Sequence, residues 1–166
     1  GHFSNFELMA MQIEKSGLNL AAIYRPLNNI FLNVLMVRIR KKYICKNQIK
    51  KGTRGVRELL KLYKKGCSIA LMIDQRVTEG VKSKFFDEDA FTTTIPAQFI
   101  KKFKCKVVPI YIERYNGINF NIKIEKPIEF STDVSTEKIT RDLNIWLEKM
   151  ILKNPGKWIW SHNRWK

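Results

Sequence analysis

The sequence predicts an α/β fold with a mixed, largely parallel central sheet flanked by helices. Segments with the apolar spacing of a helix alternate along the chain with short apolar runs typical of buried strands. No internal repeat, low-complexity stretch or linker rich in Pro, Gly and Ser interrupts the 166 residues. Because this length suits one domain with a sizeable core, we expect residues 1–166 to form a single domain.

The first part of the chain predicts a helix, a strand and a second helix. Apolar residues recur at three and four positions over 5–15, and Gly17 follows as a helix stop. The apolar run 18–24 before Pro26 suits a strand. Over 28–43 the spacing is helical again, and basic residues near its end complement the helix dipole. The residues expected to face the core in that helix are Ile30, Phe31, Val34, Leu35 and Val37.

The remaining elements continue the alternation. A helix over 54–65 ends at Gly66, and the apolar run 67–73 predicts a buried strand. Residues 74–94 are expected to form a long loop. A further helix, over 96–103, has Pro in its first turn. Two strands, 106–115 and 118–125, flank the hairpin dipeptide Asn116-Gly117, and a last amphipathic helix covers 136–152.

Composition indicates a folded protein with an anionic partner. Lys and Arg number 31 against 15 Asp and Glu, a net charge of +16, which suits nucleic acid, an acidic membrane surface or a phosphorylated substrate. With 45% apolar residues the chain is not a disordered basic tail. Three distant cysteines fit neither a disulfide framework nor a zinc site and favour a reducing compartment. No apolar run is long enough to span a bilayer.

The segment at the start of the chain holds a candidate acid–base pair. Glu7 follows His2 by five positions, at the predicted start of a helix. A carboxylate at that spacing can reach one imidazole nitrogen, fix the tautomer and leave the other nitrogen as a base. A surface histidine beside a helix cap would give the same pattern.

Polar residues that follow the predicted strands are the next candidates. Asp74 and Gln75 come directly after one strand, as site residues or as a turn cap. Arg25 follows another and would emerge on the same side if the two strands are parallel, either to bind phosphate or as a solvated loop cation. The basic cluster 38–42 also fits a solvated helix end.

The ending 158–166 interleaves three Trp with basic residues and His162. Such a segment can stack on nucleic acid bases, sit at a bilayer interface or pack on the core as a flap. The nucleotide-binding and serine-hydrolase motifs are absent, which disfavours an ATPase, a dinucleotide enzyme and a serine hydrolase. No metal-ligand spacing is present either.

Eight short segments together carry a family resemblance. They are G-H-F-S-N-F-E at 1–7, Y-R-P-L-N-N at 24–29, R-I-R at 38–40, D-Q at 74–75, K-F-F at 84–86 with T-T-T-I-P-A at 92–97, V-V-P-I-Y at 107–111, and W-I-W-S-H-N-R-W-K at 158–166. In this order they resemble the bacterial lipid A biosynthesis acyltransferases, the late acyltransferase family that adds lauroyl or myristoyl chains. The first block is the family's H-x4-D/E motif. The resemblance covers the whole chain and implies a glycerolipid-acyltransferase-like fold.

The resemblance implies the transfer of a fatty acyl chain from acyl carrier protein to a hydroxyl of a Kdo-bearing lipid A precursor. His2 is then the general base and Glu7 the group that orients it, and the alkoxide attacks the thioester directly, without an acyl-enzyme. Arg38 and Asp74 organise the site and bind substrate together with Tyr24 and Gln75. Arg25 and Arg164 are expected to contact phosphates or sugar acids. No metal or cofactor is implied, since acyl carrier protein brings the donor as a substrate.

The implied partners are acyl carrier protein, the anionic lipid A precursor and the inner membrane surface on its cytoplasmic side, with no nucleic acid. Because family members carry a membrane-anchoring segment before the catalytic His, we expect the chain to be an N-terminally truncated fragment. Two alternatives stay open: an acyltransferase for another glycolipid or for glycerol phosphate, and a basic nucleic-acid-binding module.

Overall fold

The computed structural model describes residues 1–3, 5–78 and 80–165, without the side chain of His162. It confirms the α/β class. The chain forms two compact units. The internal unit consists of residues 7–71, and the terminal unit consists of residues 1–6 together with 72–166. The prediction of one catalytic domain stays a prediction.

The internal unit is built on a three-stranded parallel sheet. Its strands are β1 (Leu20–Tyr24), β2 (Asn47–Lys50) and β3 (Ser68–Ala70), and β1 lies in the centre, paired in parallel with both others. The helices are α1 (Phe6–Lys15), which begins at the unit boundary, α2 (Ile30–Tyr43) and α3 (Thr53–Lys64). Helix α3 packs on the sheet, and Gly55 allows the close approach because a Cβ there would overlap the carbonyl oxygen of Lys50.

The elements predicted for this unit are confirmed, with ends that differ by at most three residues. The strand predicted as buried over 67–73 is shorter, at Ser68–Ala70, and its residues are half-buried or exposed. Strand β2 was missed, because Asn47–Lys50 is short and mostly polar. The predicted core face of α2 is wrong. No residue of α2 is buried, and Phe31 is 88% exposed. The buried apolar residues of this unit all lie outside α2, and they are Met9, Leu20, Ala21, Cys45, Ile49, Leu59 and Cys67.

The terminal unit contains two antiparallel hairpins and two helices. One hairpin joins β4 (Val81–Phe85) to β5 (Glu88–Thr92), and the other joins β6 (Ile110–Tyr115) to β7 (Asn119–Ile124). The helices are α4 (Ile95–Phe103) and α5 (Thr136–Lys153), followed by short 3-10 turns at Pro155–Lys157 and Trp160–His162. The described strands thus form three small sheets instead of the one central sheet that was expected.

The prediction of a long loop over 74–94 is wrong, because residues 81–92 of this segment form the hairpin of β4 and β5. Their two-residue turn is Phe86-Asp87, and both residues have positive φ, at 51° and 61°. A tight hairpin turn of this kind usually contains Asn or Gly. The sequence therefore lacks the turn signal that Asn116-Gly117 supplies in the second hairpin, which was predicted.

Among the described residues of the terminal unit, buried apolar side chains form a larger and a smaller cluster. The larger one is formed by Phe3, Phe85, Ala90, Tyr111, Leu147, Met150, Ile151 and Trp158. The smaller one joins α4 to α5 through Ala97, Ile100, Ile139 and Leu143. Helix α5 contributes to both and is the longest described element, with 18 residues. Among the described residues, no helix combines the length and apolar character needed to cross a membrane.

Helix α5 allows a matched test of this core. Leu147 is fully buried in the larger cluster, whereas Leu152 on the same helix is 67% exposed. We expect Leu147→Ala to lower the free energy of unfolding by about 2–5 kcal/mol and Leu152→Ala to change it by less than about 0.5 kcal/mol. Urea unfolding followed by Trp fluorescence measures this unit, because all four Trp lie in it. Equal losses for the two variants would contradict the packing.

Candidate functional site

The backbone of His2 is fixed by the C-terminal segment of the same unit. Phe3 forms an antiparallel bridge with Trp158, and the Ile159 N–H donates to the carbonyl oxygen of His2 at 3.1 Å. A Cβ at Gly1 would lie 2.9 Å from Leu147 Cδ1 and 3.0 Å from Asp74 Oδ2. The small residue before His2 therefore lets the backbone approach the Asp74 carboxylate.

The side chain of Asp74 binds the His2 imidazole. His2 Nδ1 lies 2.7 Å from Asp74 Oδ1, and the two residues are 5% and 1% exposed. The other carboxylate oxygen, Oδ2, accepts from the backbone N–H of His2 at 2.5 Å and from the Trp158 indole N–H at 2.8 Å. Both oxygens of a buried carboxylate thus have donors, as burial of an ionised group requires.

Asp74 stays ionised although it is buried. Burial alone would raise the pKa of Asp74, but the hydrogen bonds that its carboxylate accepts from His2 lower it. The pKa of Asp74 is therefore held well below its usual range. The site contains a permanent negative charge beside the imidazole.

This charge determines the tautomer of His2. An ionised carboxylate accepts hydrogen bonds and donates none, so the hydrogen of a neutral His2 ring lies on Nδ1. The second nitrogen, Nε2, then presents a lone pair, and the Gln75 side-chain amide lies 3.2 Å from it. Nε2 is the atom that can take a proton from a substrate hydroxyl.

Arg164 supports the Gln75 side of the site from within the protein. It is 1% exposed, and it donates to the carbonyl oxygens of Gln75, at 3.1 Å, and Phe91, and to Thr92 Oγ1 at 2.8 Å. Its guanidinium also lies 5.4 Å from the centre of the Phe85 ring. Burial lowers the pKa of Arg164, and the charge of Asp74 opposes that change. Arg164 is thus held by contacts inside the protein, and its predicted contact with phosphates or sugar acids of the substrate stays a prediction.

The other predicted site residues lie in the internal unit. Glu7 forms an ion pair with Arg40 at 3.3 Å, and the Arg40 guanidinium lies 6.0 Å from the centre of the Tyr24 ring. Arg25 and Arg38 are exposed. The strands that precede Arg25 and Asp74 do run parallel, as the prediction required. The structure thus gathers His2, Asp74, Gln75 and Arg164 in one unit, and Glu7 and Tyr24 around Arg40 in the other.

Two residues in these contacts were not singled out from the sequence. Trp158 supplies a donor to Asp74, and Arg40 pairs with Glu7. Both stand in segments that carried the resemblance, W-I-W and R-I-R, which is the signal that marks them. Lys166 and the side chain of His162, also in that ending, lie outside the described part of the chain. Within the described part, no group of three or more His, Cys, Asp or Glu side chains is arranged to hold a metal ion.

A buried carboxylate binds one nitrogen of the His2 imidazole, and the Gln75 side-chain amide lies beside the other, an arrangement found in general-base sites. Residues 1–166, the whole chain, match the family of bacterial lipid A biosynthesis acyltransferases. The chain belongs to that family, whose members are acyltransferases of lipid A biosynthesis. A search of curated proteins finds no match.

The indole donor to Asp74 can be removed without changing the aromatic packing. Trp158→Phe keeps most of the ring and leaves Asp74 Oδ2 with one donor fewer, so we expect the free energy of unfolding to fall by about 1.5–3 kcal/mol. Trp160→Phe is the matched control, because its indole donates to the Pro155 carbonyl at 2.8 Å and its side chain is half exposed. Urea unfolding followed by far-UV circular dichroism compares the two. A control loss as large as that of Trp158→Phe would argue against the Asp74 contact.

Proposed function

We propose that this chain transfers a fatty acyl group from acyl carrier protein to a hydroxyl on a Kdo-bearing lipid A precursor. Membership of the lipid A biosynthesis acyltransferase family supports an acyl donor and a lipid A precursor as substrates. The observation that carries the mechanism is the pairing of His2 Nδ1 with the buried carboxylate of Asp74. It supports Nε2 of His2 as the base.

In the proposed reaction His2 acts as a general base and then as a general acid. Nε2 takes the proton of the acceptor hydroxyl while its oxygen attacks the thioester carbonyl carbon. The new C–O bond forms, the C–S bond breaks, and the thiolate of the carrier's prosthetic arm takes the proton back from the imidazolium. Asp74 stabilises that imidazolium throughout. No acyl-enzyme is needed, so the chemistry requires no Ser or Cys nucleophile.

The carboxylate that orients His2 is, in this proposal, Asp74. The resemblance assigns that part to Glu7, the last residue of the H-x4-E motif. The 2.7 Å contact to Nδ1 and the burial of both partners support Asp74, and the 3.3 Å ion pair supports a role for Glu7 in holding Arg40. Glu7 stays in the proposal as a residue that organises the site through Arg40.

The cations of the internal unit are the proposed contacts for the acceptor. The exposed guanidiniums of Arg25 and Arg38 can bind phosphates or the carboxylate of a sugar acid by paired hydrogen bonds, with Tyr24 nearby in the chain. The net charge of +16 also suits an acidic carrier protein and the cytoplasmic surface of the bacterial inner membrane. We propose both as partners.

Three substitutions test the base and its orientation. His2→Ala is expected to lower kcat by about 10²–10⁴-fold. Asp74→Asn is expected to lower kcat by about 10²-fold or more, because an Asn amide can donate to Nδ1 and so move the ring hydrogen to Nε2. Glu7→Gln keeps the size of its side chain and is expected to have a smaller effect. The rates are measured with labelled acyl carrier protein and a detergent-dispersed Kdo-lipid A precursor.

The control for these rates is folding, measured for each variant by circular dichroism. Near-normal turnover of Asp74→Asn, with a large loss in Glu7→Gln, would transfer the orienting role to Glu7. Near-normal turnover of His2→Ala would overturn the mechanism itself.

The acceptor is tested by competition between substrates. We expect acyl transfer to the Kdo-bearing precursor and at least about tenfold less transfer to a mannosylated phosphatidylinositol or to glycerol 3-phosphate. Preferred transfer to either of these would overturn the acceptor assignment and leave acyl transfer intact. Salt-sensitive binding to an oligonucleotide that persists in His2→Ala, with no transfer to any acceptor, would favour a nucleic-acid-binding module instead.

A further inference from the structure

Helix α2 exposes large apolar side chains. Ile30 and Phe31 are 76% and 88% exposed, and the residues of the helix that are half-buried are Asn33, Met36, Val37 and Arg40. The helix start is well formed: Asn29 Oδ1 accepts from the Leu32 N–H at 3.1 Å, and Asn33 Oδ1 accepts from the Leu27 N–H at 3.0 Å. The exposed apolar residues therefore belong to a capped helix end.

The basic residues of α2 all lie in its second half. The exposed apolar side chains of the first half are Ile30, Phe31, Leu32, Val34 and Leu35. At 100° per residue they cover roughly 200° of the circumference. The second half exposes Arg38, Lys41 and Lys42 together with Ile39 and Tyr43, and the whole helix contains no Asp or Glu. An exposed apolar patch of this size next to cations is typical of an interaction surface.

We propose that α2 docks this protein on an anionic lipid bilayer, with Ile30–Leu35 below the headgroups and Arg38, Lys41 and Lys42 at headgroup level. The axial distance from Phe31 to Arg38 is about 10 Å at the rise of an α-helix, so the apolar first half can lie below the headgroups while the cations stay at their level. The basic residues then meet the phosphates of acidic lipids. The docking itself is argued from α2 alone, and only the assignment of this bilayer to the bacterial inner membrane rests on the proposed function.

The charge and shape of α2 favour a lipid surface over a protein partner. A flat protein surface covers one side of a helix, whereas the apolar residues here extend around roughly half of it. A second copy of the chain would bring the same basic residues together, which is unfavourable. An acidic protein would satisfy the cations and leave the large apolar side chains in water. A bilayer with acidic headgroups accommodates both sets.

Co-sedimentation with vesicles tests the proposal on the intact chain. We use vesicles of phosphatidylethanolamine with phosphatidylglycerol, and vesicles of phosphatidylcholine alone. The double variant Phe31→Asn/Leu35→Asn is expected to lower the partition coefficient about tenfold or more on the acidic vesicles. The double variant Lys41→Glu/Lys42→Glu is expected to lower it by a similar factor, and added salt should reduce the binding of the original protein.

Two controls match these changes elsewhere in the chain. Ile118→Asn removes an apolar residue that is 86% exposed on the β6–β7 hairpin. Lys61→Glu/Lys64→Glu changes the net charge by the same amount on exposed residues of α3. Both controls are expected to bind vesicles within about twofold of the original protein. Circular dichroism verifies that every variant is folded.

The proposal is overturned if the controls lose as much binding as the α2 variants, or if the α2 variants bind normally. It is also overturned if the original protein is a dimer that Phe31→Asn/Leu35→Asn converts to a monomer without loss of vesicle binding. Acyl transfer to the detergent-dispersed precursor is assayed in parallel. If the α2 variants bind vesicles normally and retain acyl transfer, the docking surface is refuted and the proposed function is not. If the original protein shows no acyl transfer, the proposed function is refuted.

Discussion

The buried carboxylate of Asp74 is the interaction on which the site depends. An ionised group that is 1% exposed must have its lone pairs satisfied, and here the donors are two N–H groups of His2 and the indole of Trp158. These residues lie 72 and 84 positions from Asp74 along the chain. One charge therefore determines where both ends of the terminal unit are placed. The hydrogen bonds that stabilise this buried charge also orient the His2 imidazole.

The hydrogen bonds around this charge continue into the aromatic core. The Phe85 ring packs against Trp158 and Trp165 and lies under the Arg164 guanidinium, which holds the backbone of Gln75. The residues next to the imidazole are thus supported by buried side chains, although they lie on segments outside the regular helices and strands. Rigid support of this kind keeps a base at a fixed position without a covalent or metal link.

The parts of the structure that local patterns determine could be predicted from the sequence. The five helices and the hairpin at Asn116-Gly117 follow from apolar spacing and turn residues. The hairpin at Phe86-Asp87 could not be predicted, because its turn residues carry no such signal. The exposure of the apolar residues of α2 could not be predicted either. Helical spacing shows which residues share one side of a helix, but it does not show whether other parts of the protein pack against that side. The resemblance singled out His2 and Asp74, but both the resemblance and the five-residue spacing gave Glu7 as the partner of His2. The contact between His2 and Asp74, 72 residues apart, is set by tertiary packing alone.

The two units hold functional elements of different physical kinds. In the proposed function, the base and its carboxylate in the terminal unit act on bonds that change in the transition state. The proposed lipid contacts, which are the exposed guanidiniums and the apolar helix end of the internal unit, act on groups that do not change. Interactions of the second kind bind the ground state and the transition state equally, so they raise the amount of substrate that is bound and leave the chemical step unchanged. For a substrate that resides in a membrane, attachment of the enzyme to the same surface increases the effective concentration of both reactants. The proposed docking and the proposed chemical step are therefore separable, because His2 and Asp74 take no part in docking, whereas Arg38 belongs both to the docking surface and to the acceptor contacts.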